Sequence, residues 1–301
     1  MASSLLIEPS ATAATALSFG ELAERRTPTR KIAEPYRYLG ISETEQQVPF
    51  AAIHQIISTG DESYRHKHNF DQIRMVIEGK MRLGKTIVAE PGDVVYFPES
   101  VKYGPTTYED GRMFLLQWPG ASEGSFYLHY DDVTKTLDEM RAQGGDIDFE
   151  RGGVWRYSDG RLEDVWEALG QHAFGRPVAY GAPRFGDVIV LRSGAFDAVP
   201  VRAGRNAGVK HLGCLGEVGP NIKVLELGVD AVLEAGVAQS QQIWTSFEGE
   251  FVYEGRGYEP RSVLYLPPGA QREPVYSKEG AKILVVHLRK AGLPFIPFSE
   301  F

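Results

Sequence analysis

The chain has 301 residues, of which 43% are hydrophobic and 24% charged, a composition typical of folded globular proteins. Its 40 acidic residues outnumber its 32 lysines and arginines, and the resulting net charge of −8 argues against a nucleic-acid partner or an anionic membrane partner. The single cysteine, Cys214, excludes an intramolecular disulfide framework and a cysteine-rich metal site.

The N-terminal region carries no recognisable targeting signal. Its first fifteen residues lack a positively charged start and hold only a three-residue apolar run, and no later run is long enough for a membrane helix. We therefore expect a cytoplasmic protein, either a monomer or a homodimer. Ser18 and Glu21 stand at capping-box spacing, which predicts a helix over residues 18–26.

Short apolar runs bounded by glycine or proline follow along most of the chain, as in PGDVVYFPES and FGDVIVLRSG. Runs of this length, rich in valine, isoleucine and aromatic residues, predict the strands of an all-β protein. Two segments near the middle, residues 131–143 and 161–174, instead place apolar residues on one helical face. They predict a helical connector between two β-rich halves.

The two halves align with each other. QIRMVIEGKM, which begins at Gln72, corresponds to QIWTSFEGEF, which begins at Gln242, and VVYFPESVKYGP corresponds to VLYLPPGAQREP. The order and spacing agree over roughly residues 36–118 and 209–287. This pattern predicts an internal duplication.

The first repeat contains two motifs that resemble those of the cupin superfamily. Gly60, His66, His68 and Gly79 match the spacing of the first cupin motif, with Gln72 in place of the usual glutamate. In the second motif Gly92 and Pro98 fit, whereas Ser100, Tyr103 and Thr107 replace the usual glycine, histidine and asparagine. The resemblance implies an all-β bicupin, a duplicated jelly-roll barrel (double-stranded β-helix), with a short helical connector. We place the N-terminal arm at residues 1–35, the first barrel at 36–120, the connector at 121–205, and a degenerate second barrel with a tail at 206–301.

Four residues of the first repeat are candidate metal ligands. His66, His68 and Gln72 share strand parity, and a neighbouring strand can bring Tyr103 beside them. The resemblance implies a divalent metal, Fe(II) first and Mn, Ni or Zn as alternatives. An ionised Tyr103 would restore the charge that Gln72 removes. Alternatively, Tyr103 stays protonated and acts as a general acid, or His66 and His68 are an ordinary hydrogen-bonded pair and Tyr103 only fills space.

Arg74 has the parity of Gln72 and is therefore predicted to face inward, where a buried guanidinium needs a partner. A substrate anion is one partner, and a salt bridge to Glu78 or Asp71 is the alternative. His54 is a further candidate for the same pocket, or else an ordinary core histidine. The predicted pocket walls, which are equally compatible with ordinary core, are Tyr64, Tyr96 and Trp118.

The second repeat lacks the ligand set, since Gly236, Ala238 and Arg272 stand where the first repeat has His66, His68 and Tyr103. We therefore expect chemistry in the first barrel only. The leading hypothesis is an iron-dependent dioxygenase acting on a small anionic metabolite, with Tyr103 and Arg74 as catalytic residues. The alternatives are a non-oxidative lyase, decarboxylase or isomerase, a metal-free enzyme that uses Tyr103, Arg74 and the histidines, and a non-catalytic ligand-binding cupin.

Overall fold

The structure is a computed structural model that describes residues 13–26, 35–41, 47–60, 62–63, 65–120, 130–216 and 219–289. These residues are mostly strands, so the predicted all-β class is confirmed. The strands are β1 (Thr15–Leu17), β2 (Ala23–Arg26), β3 (Pro35–Ile41), β4 (Phe50–Ile57), β5 (Glu62–Ser63), β6 (Phe70–Leu83), β7 (Ile87–Ala89), β8 (Asp93–Phe97), β9 (Thr106–Pro119), β10 (Asp146–Asp148), β11 (Val154–Arg156), β12 (Leu162–Asp164), β13 (Ile189–Arg192), β14 (Val199–Pro200), β15 (Gly204–Cys214), β16 (Asn221–Leu233), β17 (Gly236–Val237), β18 (Gln241–Gly249), β19 (Phe251–Tyr253), β20 (Arg256–Tyr258), β21 (Val263–Leu266), β22 (Gln271–Arg272), β23 (Val275–Ser277) and β24 (Ala281–Leu288).

The chain divides into two compact units. In the part of the chain that the structure describes, the first takes in residues 24–26, 35–40 and those between 50 and 190, and the second takes in residues 13–23, 41, 47–49 and those between 191 and 289. The boundaries predicted at residues 35, 120 and 205 do not coincide with these divisions and remain an interpretation of the repeats in the sequence.

The first unit is built on a sheet whose strand order is β13-β8-β6-β9-β4-β3-β2, with β5 beside β9 and β7 beside β6. On β6, alternate residues point to opposite faces, so Gln72, Arg74 and Val76 share the inner face. Val76 belongs to the buried cluster that also contains Phe97, Leu115 and Tyr103. The inner face of β6 is therefore lined with polar side chains at its start and apolar ones further along.

The second unit repeats this pairing in the order β1-β21-β18-β24-β16-β23-β19-β20, with β15 beside β16 and β14 beside β15. In the first unit Gln72 lies opposite Phe97 on β8 and Gln117 on β9. In the second, Gln242 lies opposite Leu266 on β21 and His287 on β24. The predicted duplication is therefore confirmed at the level of hydrogen-bond register.

The described residues contain two α-helices, α1 (Tyr130–Ala142) and α2 (Val165–Phe174), close to the predicted positions. They pack around a core of their own in which Leu137, Trp155 and Leu169 are buried. Helix α2 begins where the Asp164 carboxylate accepts hydrogen bonds from the backbone N–H groups of Trp166 and Glu167. It ends at Gly175, whose φ of 63° is a left-handed conformation. Neither helix is long and apolar enough to cross a membrane.

The helix predicted over residues 18–26 is wrong. Glu21 does reach back to the backbone N–H of Ser18, at 2.7 Å, but only a single 3-10 turn forms, at Phe19–Glu21. The chain then extends into β2. The capping interaction is present without a helix because strand pairing, rather than local propensity, determines the conformation of the residues that follow.

Candidate functional site

The two motif segments of the first barrel are joined by backbone hydrogen bonds. The N–H of His66 donates to the carbonyl of Tyr103 at 3.0 Å, and the N–H of Tyr103 donates to the carbonyl of His66 at 2.9 Å. The N–H of Ser100 donates to the carbonyl of His68 at 2.7 Å. This pairing brings Tyr103 beside both histidines, as the sequence predicted.

The hydroxyl of Tyr103 is the centre of the candidate site. It lies 2.9 Å from Nε2 of His66 and 3.3 Å from both ring nitrogens of His68. Nη2 of Arg74 donates to the same hydroxyl at 3.3 Å. Tyr103, His68 and Arg74 are each only 4% exposed, whereas His66 is half-buried. The cluster therefore reaches solvent most directly through the His66 ring.

Arg74 lies inside the barrel, held by neutral groups. Nη1 donates to the hydroxyl of Tyr108 at 2.6 Å. One side of the Gln72 amide faces only hydrogen-bond donors, so its oxygen lies on that side. This oxygen accepts from Nε of Arg74 at 2.9 Å and from Nη2 at 3.1 Å. The guanidinium also lies 4.7 Å from the centre of the Phe97 ring. The hydrogen bonds to Tyr108 and Gln72 satisfy donors of the guanidinium, but none of these neighbours carries a negative charge.

The salt bridges considered for Arg74 are not formed. Glu78 pairs with Arg112 at 3.1 Å, and Asp71 pairs with Arg184 at 3.1 Å. Arg74 makes no salt bridge with any carboxylate in the described part of the chain. It is therefore a buried cation with neutral neighbours, an arrangement that favours an anionic ligand.

Burial determines the protonation states at this site. Together with the neighbouring His66 and Arg74, it holds the pKa of His68 well below its usual 6.5. Burial also raises the pKa of Tyr103, and the nearby Arg74 charge only partly opposes that rise. At neutral pH, His68 is therefore neutral and Tyr103 keeps its proton.

The donor set can be compared with what a divalent metal requires. The four predicted ligands, His66, His68, Gln72 and Tyr103, include no carboxylate, and the described residues hold no group of three His, Cys, Asp or Glu placed to bind a metal. Gln72 and Tyr103 are both hydrogen-bonded to Arg74, so a dication on these donors would lie beside a buried cation. Only an ionised Tyr103 could supply negative charge, and in the metal-free site burial raises the pKa of this phenol. As arranged, the residues do not fit a divalent metal, and their role as ligands remains a prediction.

Three of the predicted pocket residues lie away from the cluster. His54 is opposite Phe114 on β9, and the two ring centres are 5.0 Å apart. Both residues lie on the outer face of the sheet, opposite the face that carries Arg74. Tyr96 and Trp118 share that face and stack with ring centres 6.3 Å apart. Tyr64, the fourth, lies outside the described residues. Strand parity placed Arg74 correctly, but it did not identify which face of β4 or β8 is the inner one.

A narrow cleft beside His68 was not predicted. The residues that line it are Lys67, His68, Asn69, Phe70, Trp166, Gly170, Val178 and Tyr180. The ring of His68 stacks on Phe70 at 4.2 Å and meets Trp166 edge-on at 5.7 Å. Half of this lining comes from the connector, about a hundred residues further along the chain, so no local motif could have indicated it. Tyr108, the other residue missed, follows Tyr103 closely but belongs to neither motif.

The equivalent place in the second barrel is occupied differently. Gly236 pairs with Arg272 as His66 pairs with Tyr103. The Arg272 guanidinium donates to the carbonyl of Glu234 at 2.7 Å and lies 5.4 Å from the centre of the Trp244 ring. Trp244, Ala238 and Phe251 belong to the buried apolar cluster of this barrel. Among the described residues of this barrel, no cluster like that around Tyr103 exists.

Comparisons with known proteins found a family model that matches part of the first barrel and solved structures that resemble the whole fold. Residues 51–123 match the family model for ethanolamine utilisation protein EutQ. A putative dioxygenase from Nostoc punctiforme is 12% identical, with a TM-score of 0.58 over 95% of this chain and 87% of that one. Oxalate decarboxylase from Bacillus subtilis, whose Mn(II) centres one study describes, is 14% identical, with a TM-score of 0.53 over 95% of this chain and 80% of that one. No curated protein sequence matches the chain significantly.

Proposed function

We propose that this protein, which has the bicupin fold predicted from its sequence, catalyses proton transfer on a small organic anion in its first barrel. One observation carries the proposal. A buried tyrosine hydroxyl lies between an imidazole, at 2.9 Å, and a guanidinium, at 3.3 Å, that no described carboxylate neutralises. The reaction class is isomerisation or lyase chemistry next to a carbonyl group.

Arg74 supplies binding and charge stabilisation. Its guanidinium has neutral partners only, so a carboxylate that enters the barrel gains a full charge interaction in a water-poor environment. The same charge stabilises negative charge that develops on a substrate oxygen or on Tyr103 during the reaction. Tyr108 and Gln72 hold the guanidinium in place and are positioning residues.

Tyr103 and His68 move the proton. His68 is neutral at neutral pH, so its imidazole accepts a proton from the carbon next to the substrate carbonyl. Tyr103 donates its proton to the carbonyl oxygen, which leaves an enol, a phenolate beside Arg74 and an imidazolium on His68. Return of a proton from His68 to the same carbon gives hydrogen exchange, and its return to the other end of a conjugated enol gives an isomer. Return of the enol proton to Tyr103 then completes the cycle. His66, the most exposed member of the cluster, links Tyr103 to solvent.

The second candidate is the iron-dependent dioxygenase predicted from the sequence. The convergence of His66, His68 and Tyr103 within 3.3 Å favours it, because two imidazoles and a phenol oxygen are donors that iron accepts. The fold similarity to a putative dioxygenase is consistent with it. This candidate requires Gln72 and Tyr103 to give up their hydrogen bonds to Arg74 and turn towards a metal.

Hydrogen exchange into carbon acids separates the two candidates. Protein freed of metal with EDTA would be incubated in D2O with 2-oxobutanoate, 2-oxoglutarate or acetoacetate, and loss of carbon-bound hydrogen would be followed by proton NMR. We expect exchange above the uncatalysed rate for at least one acid. Tyr103→Phe should lower it roughly 100-fold, the ordinary contribution of a general acid.

Arg74→Met should abolish the exchange, whereas Arg112→Met, which removes a half-buried arginine of the same barrel, should leave it unchanged. Turnover that appears only with added Fe(II) and consumes oxygen would favour the dioxygenase instead. Absence of exchange with every acid, with or without metal, would contradict the proton-transfer proposal.

A further inference from the structure

Residues 175–187 follow α2, lead to β13 and form a strap along the first barrel. None of them lies in a helix or strand, and none is buried. Pro177 and Pro183 lack a backbone N–H, which disfavours regular structure here. At Gly175 and Gly186 no heavy atom beyond the chain neighbours lies within 4 Å of the position that a Cβ would take, so the backbone is sterically free near both ends. Such a segment belongs to the least stable part of a fold.

Side chains hold the strap against the barrel. Nη2 of Arg184 donates to Oδ2 of Asp71 at 3.1 Å and to the hydroxyl of Tyr96 at 3.3 Å. The ring of Phe185 meets that of Tyr96 edge-on, with ring centres 5.7 Å apart. Within the described residues Arg184 donates through Nη2 only, and its buried Nε has no hydrogen-bond partner. This salt bridge is therefore weaker than a bidentate arginine–carboxylate pair.

The strap also closes one side of the cleft beside His68. Val178 and Tyr180 of the strap line this cleft, and Nζ of Lys67 from the barrel lies 3.5 Å above the centre of the Tyr180 ring. The cleft has a volume of about 10 Å³, which is room for a single water molecule. With the strap in this position, the cleft admits no organic substrate.

The candidate site needs an entrance because its central groups are buried. Tyr103, His68 and Arg74 are each 4% exposed, so a substrate carboxylate reaches Arg74 only if part of the surrounding structure moves. The strap is better suited to move than β8, in which every residue is buried. We propose that the strap opens to admit the substrate to the cluster and closes over it, with the Arg184–Asp71 salt bridge as its latch. This inference rests on the proposed function, which places the substrate on Arg74.

Modification of His68 by diethyl pyrocarbonate, which reacts with neutral imidazole, measures opening without a substrate. His287 of the second barrel is the internal reference, because it is 3% exposed. Burial holds the pKa of both imidazoles well below 6.5, so both are neutral at pH 7 and differ only in access. The rate at each histidine of the full-length protein would be followed by peptide mass spectrometry.

We expect Arg184→Met to raise the modification rate of His68 roughly tenfold, the effect of losing one charge-assisted contact, and to leave the rate at His287 unchanged. Arg161→Met is the matched control. It removes an arginine of the connector whose salt bridge, to Glu163 at 3.3 Å, does not involve the barrel. The control should leave both rates as in wild type.

Tyr180→Leu is a second variant that keeps the salt bridge of Asp71 intact. It removes the ring beside Lys67 and should raise the rate at His68 severalfold. This variant decides the test if Arg184→Met, which takes the arginine away from the buried Asp71 carboxylate, folds poorly by circular dichroism.

The outcomes separate the inference from the proposed function. An unchanged rate at His68 in both strap variants, or an equal rise at His68 and His287, overturns the strap even if hydrogen exchange into a carbon acid is observed. A selective rise at His68 without exchange in any acid leaves the strap standing and contradicts the proposed function.

Discussion

At the scale of single residues, Arg74 makes its strongest contacts with groups that carry no charge. The Tyr108 hydroxyl and the Gln72 carbonyl satisfy its donors, but the cost of burying the charge remains. We expect Arg74→Met to raise the free energy of unfolding by about 1–3 kcal/mol while it abolishes anion binding. Urea denaturation and anion titration on the same protein measure both effects.

The control for this substitution is Arg112→Met, which removes a half-buried guanidinium paired with Glu78. Its effect on the free energy of unfolding should stay within about 1 kcal/mol. A loss of more than about 3 kcal/mol in Arg74→Met would mean that the native barrel supplies a compensating charge, contrary to the arrangement described.

Ser100 is a second residue in an unfavourable setting. It has a φ of 66°, stands where the cupin motif has glycine, and its buried hydroxyl has no hydrogen-bond partner in the structure. The left-handed conformation costs a non-glycine residue about 1–2 kcal/mol. Glycine adopts this conformation without that strain, but it loses more conformational entropy on folding. We therefore expect Ser100→Gly to stabilise the protein by about 1 kcal/mol, measured by thermal and urea unfolding.

Ser63→Gly is the control for Ser100, because its hydroxyl is also buried without a partner but its backbone lies in strand β5. The two variants should differ by about 1 kcal/mol in favour of Ser100→Gly. Equal effects would show that the left-handed conformation at residue 100 carries no strain.

The sequence predicted the centre of the site better than its walls. Glycine-framed spacing and strand parity located His66, His68, Tyr103 and Arg74, because both depend only on local geometry. Parity failed for His54, since nearly every residue of β4 is buried and the strand shows no alternation that marks its inner face. The cleft beside His68 is lined partly by residues of the connector, and no local pattern encodes contacts between such distant segments.

At the scale of elements, helix α2 forms one wall of the cleft and depends on its N-cap. Burial raises the pKa of Asp164 to about 6, although the backbone N–H groups of Glu167 and Trp166 oppose the rise. The pKa of Asp164 in the folded protein lies above its usual value of 3.8. The contribution of this carboxyl group to stability is therefore fully present only below pH 3.8. Its contribution is lost as the pH rises through about 6.

Asp164→Asn should therefore be more stable than wild type at pH 7, by about 1–3 kcal/mol, and the advantage should shrink towards pH 4. Asparagine caps a helix as well as aspartate, so α2 should remain intact. Urea unfolding of both proteins across this pH range measures the difference. Asp132 is exposed on α1, and the stability of Asp132→Asn relative to wild type should show no such dependence on pH. A stability difference between Asp164→Asn and wild type that does not change with pH would contradict the raised pKa of Asp164.

At the scale of the whole molecule, the second unit incorporates a segment from far upstream. Strand β1 pairs with β21, Glu21 bonds to Arg256 at 2.9 Å, and the Phe19 ring lies 3.9 Å from the Arg261 guanidinium. Deleting residues 1–23 should therefore leave β21 as an unprotected sheet edge and lower the stability of the second unit selectively.

Hydrogen exchange with mass spectrometry tests this deletion. Amides of residues 263–266 should exchange faster in the truncated protein, whereas those of residues 72–75 in the first unit serve as the internal reference and should not change. Equal loss of protection in both segments would show that the upstream segment stabilises the chain generally rather than one sheet.

The duplication made the architecture predictable, because two copies of one pattern are unlikely to align by chance over about eighty residues. The division into units was not predictable in the same way. Residues 15–17 pair with the second unit although they precede the first barrel in the chain, and the N–H of Val48 donates to Gln241 at 2.8 Å, so this arrangement depends on long-range pairing rather than local pattern.

The two barrels have exchanged an aromatic ring and a guanidinium. Arg74 and Tyr103 in the first are replaced by Trp244 and Arg272 in the second, with guanidinium-to-ring distances of 5.7 Å and 5.4 Å. Trp244→Arg alone would set two guanidinium groups against each other, and Arg272→Tyr alone would leave two rings and no cation. Positions 244 and 272 are thus coupled, and only the double substitution Trp244→Arg with Arg272→Tyr would give the second barrel the arginine–tyrosine pair of the first.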